Sequence, residues 1–597
     1  MKSLPFLPSS VALLAVLLLP SAPAEPAAAD PAEALHDLFG REWEDRLERN
    51  PRLATSVGRH EYDDRLESVA LDALTAEVAQ TRSFLAELNE IPFEALSTED
   101  RINYQIFRTQ LEGRIRDFEF GAYQIPFNAD SGFHIGISRL PADMPLATVS
   151  DYENYLARLE ALPTLFEEHI ANMRRGIERG MTLPRAVLDG YDVTMSAHVV
   201  TRPEESVFFE PFESFASTVP EGERQRLTAA GRRAVTGPVA AAYRELLAFF
   251  VDEYLPAARH TLAASRLPDG EAYYAWRIEH FTTLPLGAAE IHRIGLEEVE
   301  RIRSEMQQII DRVGFDGSFA EFLEFLRTDP RFYVDTPEAL LKEAAWIAKR
   351  ADAQLPRFFG RLPRLPYGVA PVPDHIAPKY TAGRYVSAPV GGTEPGYYWV
   401  NTYKLDSRSL YTLEALTLHE AVPGHHLQGA LADEQDELPN FRRFSYLSAF
   451  GEGWGLYSEW LGQEMGFYTD PYSDFGRLTY EMWRACRLVV DTGVHAMDWT
   501  RQQMIDYLAA HTALSLHECT TETDRYISWP AQALAYKIGE LEIRRLRRKA
   551  EEALGERFDV RRFHDVVLLN GAVPLPVLGE EIDRFIAAEG GATASDG

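Results

Sequence analysis

The segment Leu418-His419-Glu420-Ala421-Val422-Pro423-Gly424-His425-His426 sets three imidazoles and a carboxylate close together, a donor set suited to zinc. A His followed directly by Glu, after an apolar helical approach, opens the H-E-x-x-H arrangement, in which two His one turn apart bind the metal and the Glu acts as base. Here Pro423 stands where the second His is required. In an unbroken helix, residues six or seven apart are separated by about 9–10 Å along the axis, too far to share one ion. The helix must therefore deform. Pro423 disfavours helical geometry at Val422 and Gly424 can take positive φ, so the chain can loop and return a His towards His419. His425 is the preferred second ligand and His426 the fallback.

A catalytic zinc takes three protein ligands and keeps one position for water. Downstream lies Gly451-Glu452-Gly453-Trp454-Gly455-Leu456-Tyr457-Ser458-Glu459, whose two Glu, seven apart, share one helix face. One can ligate while the other orients a ligand from behind. In the glutamate-zincin peptidases the downstream ligand is commonly a Glu on such a helix, so the expected metal set is His419, His425 and Glu452. Amide hydrolysis then needs a carboxylate that takes the proton of the attacking water and passes it to the leaving amine, and Glu420 is that group. The developing oxyanion needs a donor, for which His495, Arg525, Tyr526 and Tyr536 are candidates. Plainer roles compete. His495 can be a satisfied core histidine, and Arg525 can neutralise a buried acid such as Asp491 or Glu522.

The elements that must position these residues read as helices wherever a long window can be scored. After Pro163, Phe166, Ile170, Met173 and Ile177 recur at helical spacing until Gly180. Leu296, Val299, Ile302, Met306, Ile309 and Val313 do the same up to Gly314. Thr336-Pro337 reads as a cap followed by a first helical residue. Between Leu362 and Thr393 the texture changes to Pro, Gly and aromatic residues, which predicts loops and short strands. Tyr397-Tyr398-Trp399-Val400 reads as a strand just ahead of the metal helix, and its edge could pair with an extended peptide. The predicted fold is mainly α, with a few short strands beside the metal helix.

His-Glu-x-x-Pro-Gly-His-His followed by Gly-Glu-Gly-Trp-x-x-Tyr-x-Glu resembles the bacterial family designated domain of unknown function 885, regarded as zincin-like. Val490-Asp491-Thr492-Gly493-Val494-His495 and Arg525-Tyr526-x-x-x-Pro530-x-Gln532-x-x-x-Tyr536-x-x-Gly539 match as well, as do Tyr155-Leu156-x-Arg158-Leu159 and the helix opening near His292. The resemblance spans nearly all of the chain after its N-terminal segment. It implies a large helical zincin-like fold and a peptidase activity. By analogy with helical metallopeptidases that use a downstream Tyr and His, Tyr536 and His495 rank first among the oxyanion donors.

Met1 to Ala24 has the layout of an export signal, with Lys2, an apolar run from Val11 to Leu19 and small residues at Ala22-Pro23-Ala24. Residues 25–31 read as a linker, 32–361 as a helical N-terminal half and 362–597 as the catalytic half, packed with the first as one body. The expected location is periplasmic or extracellular. The apolar run is too short to span a bilayer and no cysteine lies near it, which reads against a stable membrane anchor. The two cysteines, Cys486 and Cys519, form one bridge or remain two buried thiols. With 60 Lys+Arg against 91 Asp+Glu, a net charge of −31, the chain is no partner for nucleic acid. The expected function is a secreted zinc metallopeptidase acting on oligopeptides. The alternative is a non-catalytic binding protein with a structural metal, in which a free carboxylate beside a ligand would have no use.

Overall fold

The computed structural model describes residues 30–374, 377, 380–388 and 395–591, so the expected signal, residues 1–24, lies outside the described residues. The chain is mainly α, with 70% of it helical and 3% in strands. Asp30 caps a helix that begins at Pro31, the last residue of the expected linker.

Local chemistry accounts for the main helices, with two departures from the sequence reading. Thr336 accepts from the Ala339 amide at 3.2 Å and Pro337 opens the Pro337–Phe358 helix. The helix expected after Pro163 in fact starts at Val149, where Thr148 and Asp151 form a capping box, and runs through the proline to Arg179. Its apolar face is buried on both sides of Pro163, through Tyr155, Leu159, Leu162, Phe166 and Ile170, and that burial offsets the lost backbone bond. In the Ala288–Val313 helix, Leu296 is 46% exposed, so it is not part of the core stripe. The buried position beside it is Gly295, where a Cβ would stand 2.8 Å from both Leu488 and Val489. Glycine there lets this helix lie close along Pro471–Met497, which is buried almost all round.

The sheet has three strands, β1 Tyr367–Pro371, β2 Gly383–Val386 and β3 Gly396–Val400, in the order β1-β3-β2. β1 runs parallel to β3 and β2 antiparallel to it, with Tyr385 opposite Tyr398. The strand expected at Tyr397 is thus the central one. Both of its edges are paired, so it cannot receive a peptide; β1 and β2 are the outer strands.

Each of the two hydrophobic cores draws on both halves of the chain. One joins Phe39, Phe107 and Leu355 to Phe441, Trp454 and Ile538; the other joins Phe166, Tyr243 and Ile302 to Val489, Val494 and Tyr526. The Phe39 and Phe441 rings are 4.7 Å apart, a direct contact between the two halves of the chain. Glu221–Ala257 reaches the length and apolarity of a membrane span, but half of that window is buried, with Leu227, Tyr243 and Leu246 in the second core.

Candidate metal centre

The helix Leu413–Glu420 stops immediately after the His-Glu pair, and a new helix, His425–Asp433, starts four residues later. A cis Val422–Pro423 peptide lies in the turn between them. The Gly424 amide donates to Leu418 O at 3.0 Å and the His426 amide to Ala421 O at 3.1 Å. Trp454 Nε1 donates to Pro423 O at 2.8 Å, which pins the turn to the Ser448–Leu461 helix. Gly424 has φ −74°, so the expected positive φ does not occur. Space demands glycine instead, because a Cβ would lie 1.8 Å from His419 O.

This turn returns His425 to His419, with ring centroids 4.7 Å apart and planes nearly perpendicular. Glu452, on the Ser448–Leu461 helix, completes the group: its Oε2 is 3.5 Å from Nε2 of His419 and 3.5 Å from Nε2 of His425. One ligand atom from each of the three lies within 4.8 Å of the others. Tetrahedral zinc with bonds of about 2.0–2.1 Å sets its ligand atoms roughly 3.3–3.4 Å apart, so the donor types suit that ion and the two Glu452 distances lie close to that spacing. His426 is elsewhere. Its Nδ1 pairs with the Tyr385 hydroxyl at 3.0 Å and its ring packs 4.5 Å from Tyr367.

Behind the triad, Glu459 accepts from Nδ1 of His419 at 2.8 Å, which leaves Nε2 facing the other two ligands. Tyr446 donates to Oε1 of Glu452 at 2.9 Å. Burial opposes a charged His419, but Glu452 and Glu459 more than offset it and push the imidazolium up to about 10. Burial likewise opposes a charged Glu452, yet the two histidines hold it well below the usual carboxylate range. The triad is therefore a strong trap for positive charge. Tyr446 is 59% exposed as a residue, but its hydroxyl end loses water against Glu452, and that loss together with the carboxylate raises the phenol above its ordinary value, so it stays a neutral donor.

Glu420 stands outside the triad. Its Oε2 accepts the backbone N–H of Tyr385 at 2.9 Å, which ties it to β2. Tyr536 approaches from the Ala535–Leu554 helix, where Gly539 packs directly on Gly453, the neighbour of Glu452, with a would-be Cβ–Cα distance of 2.6 Å. Tyr536 precedes Gly539 by three residues, one turn. Glu420, Glu452 and Tyr536 all act electrostatically on Tyr446, and Glu420 and Tyr536 on Arg384 of β2.

Two of the expected oxyanion donors are placed in the core instead. His495 is fully buried, its Nδ1 accepting from the Ala264 amide at 3.0 Å and its Nε2 donating to Tyr526 O at 2.9 Å, so neither nitrogen is free. The Tyr526 hydroxyl is spent on Glu522 at 2.6 Å and on donors from Arg487 and Trp483 at 2.8 and 2.9 Å. Arg525 Nη2 donates to Gln532 at 2.8 Å and lies 3.4 Å from the Tyr536 hydroxyl, and its nearest acid is Glu522 at 3.6 Å. Asp491 takes its hydrogen bonds from Tyr274 and the Ala531 amide, not from Arg525. Cys486 and Cys519 are buried free thiols. Tyr446, Tyr385 and Arg384 were not anticipated, because they come from an irregular loop and a short strand whose spacing to the His-Glu motif carries no periodic signal.

The family model described as "Bacterial protein of unknown function (DUF885)" matches residues 51–582. The chain belongs to this family. Among solved structures, this DUF885 protein is similar to one described as "the putative lipoprotein from Colwellia psychrerythraea", at 30% identity and a TM-score of 0.89, over 94% of this chain and 100% of that one. A second, from Shewanella oneidensis and described as a lipoprotein of the same standing and of unknown function, shares the fold at 16% identity and a TM-score of 0.69, over 93% and 99% of the two chains. No curated protein matches the DUF885 chain.

Proposed function

We propose that this DUF885 protein is a zinc-dependent peptidase with a zincin-like centre, exported from the cytoplasm and acting on oligopeptides. One observation carries the reading. Three ligand atoms converge at spacing suited to one ion, and the carboxylate next to a ligand in sequence, Glu420, is kept out of the ligand set by a 2.9 Å bond from the Tyr385 amide. A purely structural site has no use for that carboxylate. His419, His425 and Glu452 would hold the zinc, which when bound lowers the pKa of a water and polarises a carbonyl.

The remaining roles belong to the chain's own groups. With Oε2 held by the Tyr385 amide, Oε1 of Glu420 takes the proton of the attacking water and returns it to the leaving amine. The Tyr536 hydroxyl donates to the carbonyl oxygen as its negative charge develops, while Tyr446 keeps its proton on Oε1 of Glu452. Glu459 fixes the tautomer of His419 by holding Nδ1–H. Export rests on the Met1 to Ala24 segment; the Colwellia psychrerythraea relative is described as a lipoprotein.

The test is to incubate the purified protein with a mixed peptide library, with zinc and with a chelator, and to read cleavage by mass spectrometry. Cleavage that chelator stops and zinc restores is the expected result. A library left intact by the zinc-loaded protein would overturn the proposal.

A further inference from the structure

A cluster of guanidiniums adjoins the candidate metal centre and takes no part in holding its ligands. Tyr536, one turn from the Gly453–Gly539 contact, is its hinge point. Arg525 reaches the Tyr536 hydroxyl at 3.4 Å, and Arg487 packs against the same ring with its Cζ 4.4 Å from the centroid. The two arginines share one buried carboxylate, Glu522, at 3.0 Å from Arg487 Nη2 and 3.6 Å from Arg525 Nη1. A second acid, Asp130, is 3.9 Å from Arg525 Nε but 55% exposed, so water screens most of its charge. Arg384 extends the positive side towards Glu420.

Two features point to a missing acceptor. Among the described residues, Arg525 Nε and Arg487 Nη1 are buried without a hydrogen-bond partner. Buried donors normally find one. Arg525 and Arg487 also share, among the described residues, a single carboxylate within 3.6 Å, Glu522.

We infer that Arg525, beside the Tyr536 hydroxyl, binds the C-terminal carboxylate of the substrate through its own N–H groups, which makes this protein a peptidase that removes residues from the carboxyl end. The inference rests on the peptidase reading above. A guanidinium fork matches a carboxylate in shape and charge, and Gln532 holds Arg525 in place through Nη2 at 2.8 Å. Arg487 supports the Tyr536 ring from its face and supplies a second positive charge.

The experiment compares one peptide sequence in three forms on the zinc-loaded protein: free carboxyl end, C-terminal amide, and N-acetylated with a free carboxyl end. The free acid and the acetylated acid should be cleaved alike, near the carboxyl end, and the amide at a kcat/KM lower by about 10²-fold or more, since a site built for a polar group rejects analogues lacking it. Arg525→Met should bring the free acid down to the rate of the amide, mainly through KM, with zinc content unchanged, and Arg525→Lys should recover part of the preference. If wild-type protein cleaves acid and amide equally, the carboxylate subsite is overturned while the peptidase reading stands. If acetylation abolishes cleavage, the enzyme works from the amino end and the inference is wrong. If no form is cleaved, both fall. The wild-type comparison decides even if the Arg525 variants do not fold.

Discussion

Glu459 accepts a 2.8 Å hydrogen bond from Nδ1 of His419, seven residues after Glu452 on the same helix, which turns its own Oε2 towards Nε2 of that imidazole at 3.5 Å. One helix face thus supplies both a ligand and the group that orients another ligand. Glu459→Gln keeps the shape and removes the charge that raises His419 basicity. Zinc affinity should fall about 10–100-fold. Competition against a chromophoric chelator measures it, and an unchanged affinity would show that Glu459 does not tune the site.

Gly455 gives the His419 ring its place, since a Cβ there would be 2.6 Å from Cε1 of the imidazole. The ring is buried and tied to Glu459, so it cannot swing away freely. Gly455→Ala should lower zinc content and cost about 1–3 kcal/mol of stability through overpacking. Gly429→Ala is the control, because its Cβ would meet Tyr385 at an ordinary 3.7 Å and alanine is the better helix former. A Gly455→Ala protein that keeps its zinc and its melting temperature would contradict the packing argument.

The two adjacent histidines should separate cleanly. His425→Ala removes a nitrogen that faces Glu452 at 3.5 Å, and metal retention should be lost. His426→Ala breaks a bond to the Tyr385 hydroxyl and a contact with Tyr367, which should cost stability but leave zinc in place. Metal analysis of both variants after gel filtration checks this. The opposite pattern would mean that the 421–424 turn returns the wrong imidazole.

Acid should destabilise the fold well before the carboxylates titrate. Burial lowers His134, His495 and His564 to about 3 from 6.5, so below pH 6.5 the unfolded chain binds protons that the folded chain refuses. Each such group contributes stability that is full above pH 6.5 and lost by about 1.4 kcal/mol per pH unit on going down towards 3. Asp491, raised by burial to about 7, works in the other direction over the range from 7 down to its unfolded value, as do Asp130, Asp143, Asp433, Glu518 and Glu581, which burial also raises. His169 and His198, lowered by burial to about 4, add to the three imidazoles. The urea midpoint should therefore drop between pH 6.5 and pH 5. A midpoint that is flat or higher at pH 5 would contradict the burial of these imidazoles.

Much of the centre was legible because residue type and spacing speak directly to metal chemistry. His419, His425 and Glu452 could be brought together on paper once Pro423 and Gly424 were allowed to break the helix. The reason for Gly424 was not legible: it needs room against His419 O, not a left-handed φ, and only packing shows that. His495 and Tyr526 were misplaced for a related cause. His495 lies on a helix buried on nearly every side and Tyr526 on the buried end of Leu516–Ser528, where the sequence does not tell which face meets a cavity and which meets a backbone carbonyl. The central position of β3 was hidden too, since strand order depends on contacts between segments that share no local pattern. Leu296 and the helix through Pro163 show the same limit from the core side, as tertiary burial overrode the local signal.

The most direct test sets zinc content beside peptide hydrolysis in two variants. Glu420 is outside the ligand set, so Glu420→Gln should keep about one zinc per chain while turnover falls by about 10²–10⁴-fold or more, as expected for loss of a general base. Glu452→Gln replaces a ligand with a neutral amide and should lose zinc and activity together. A Glu420→Gln protein that hydrolyses peptide at the wild-type rate, or a wild-type protein that takes up no zinc when it is supplied, would contradict the account.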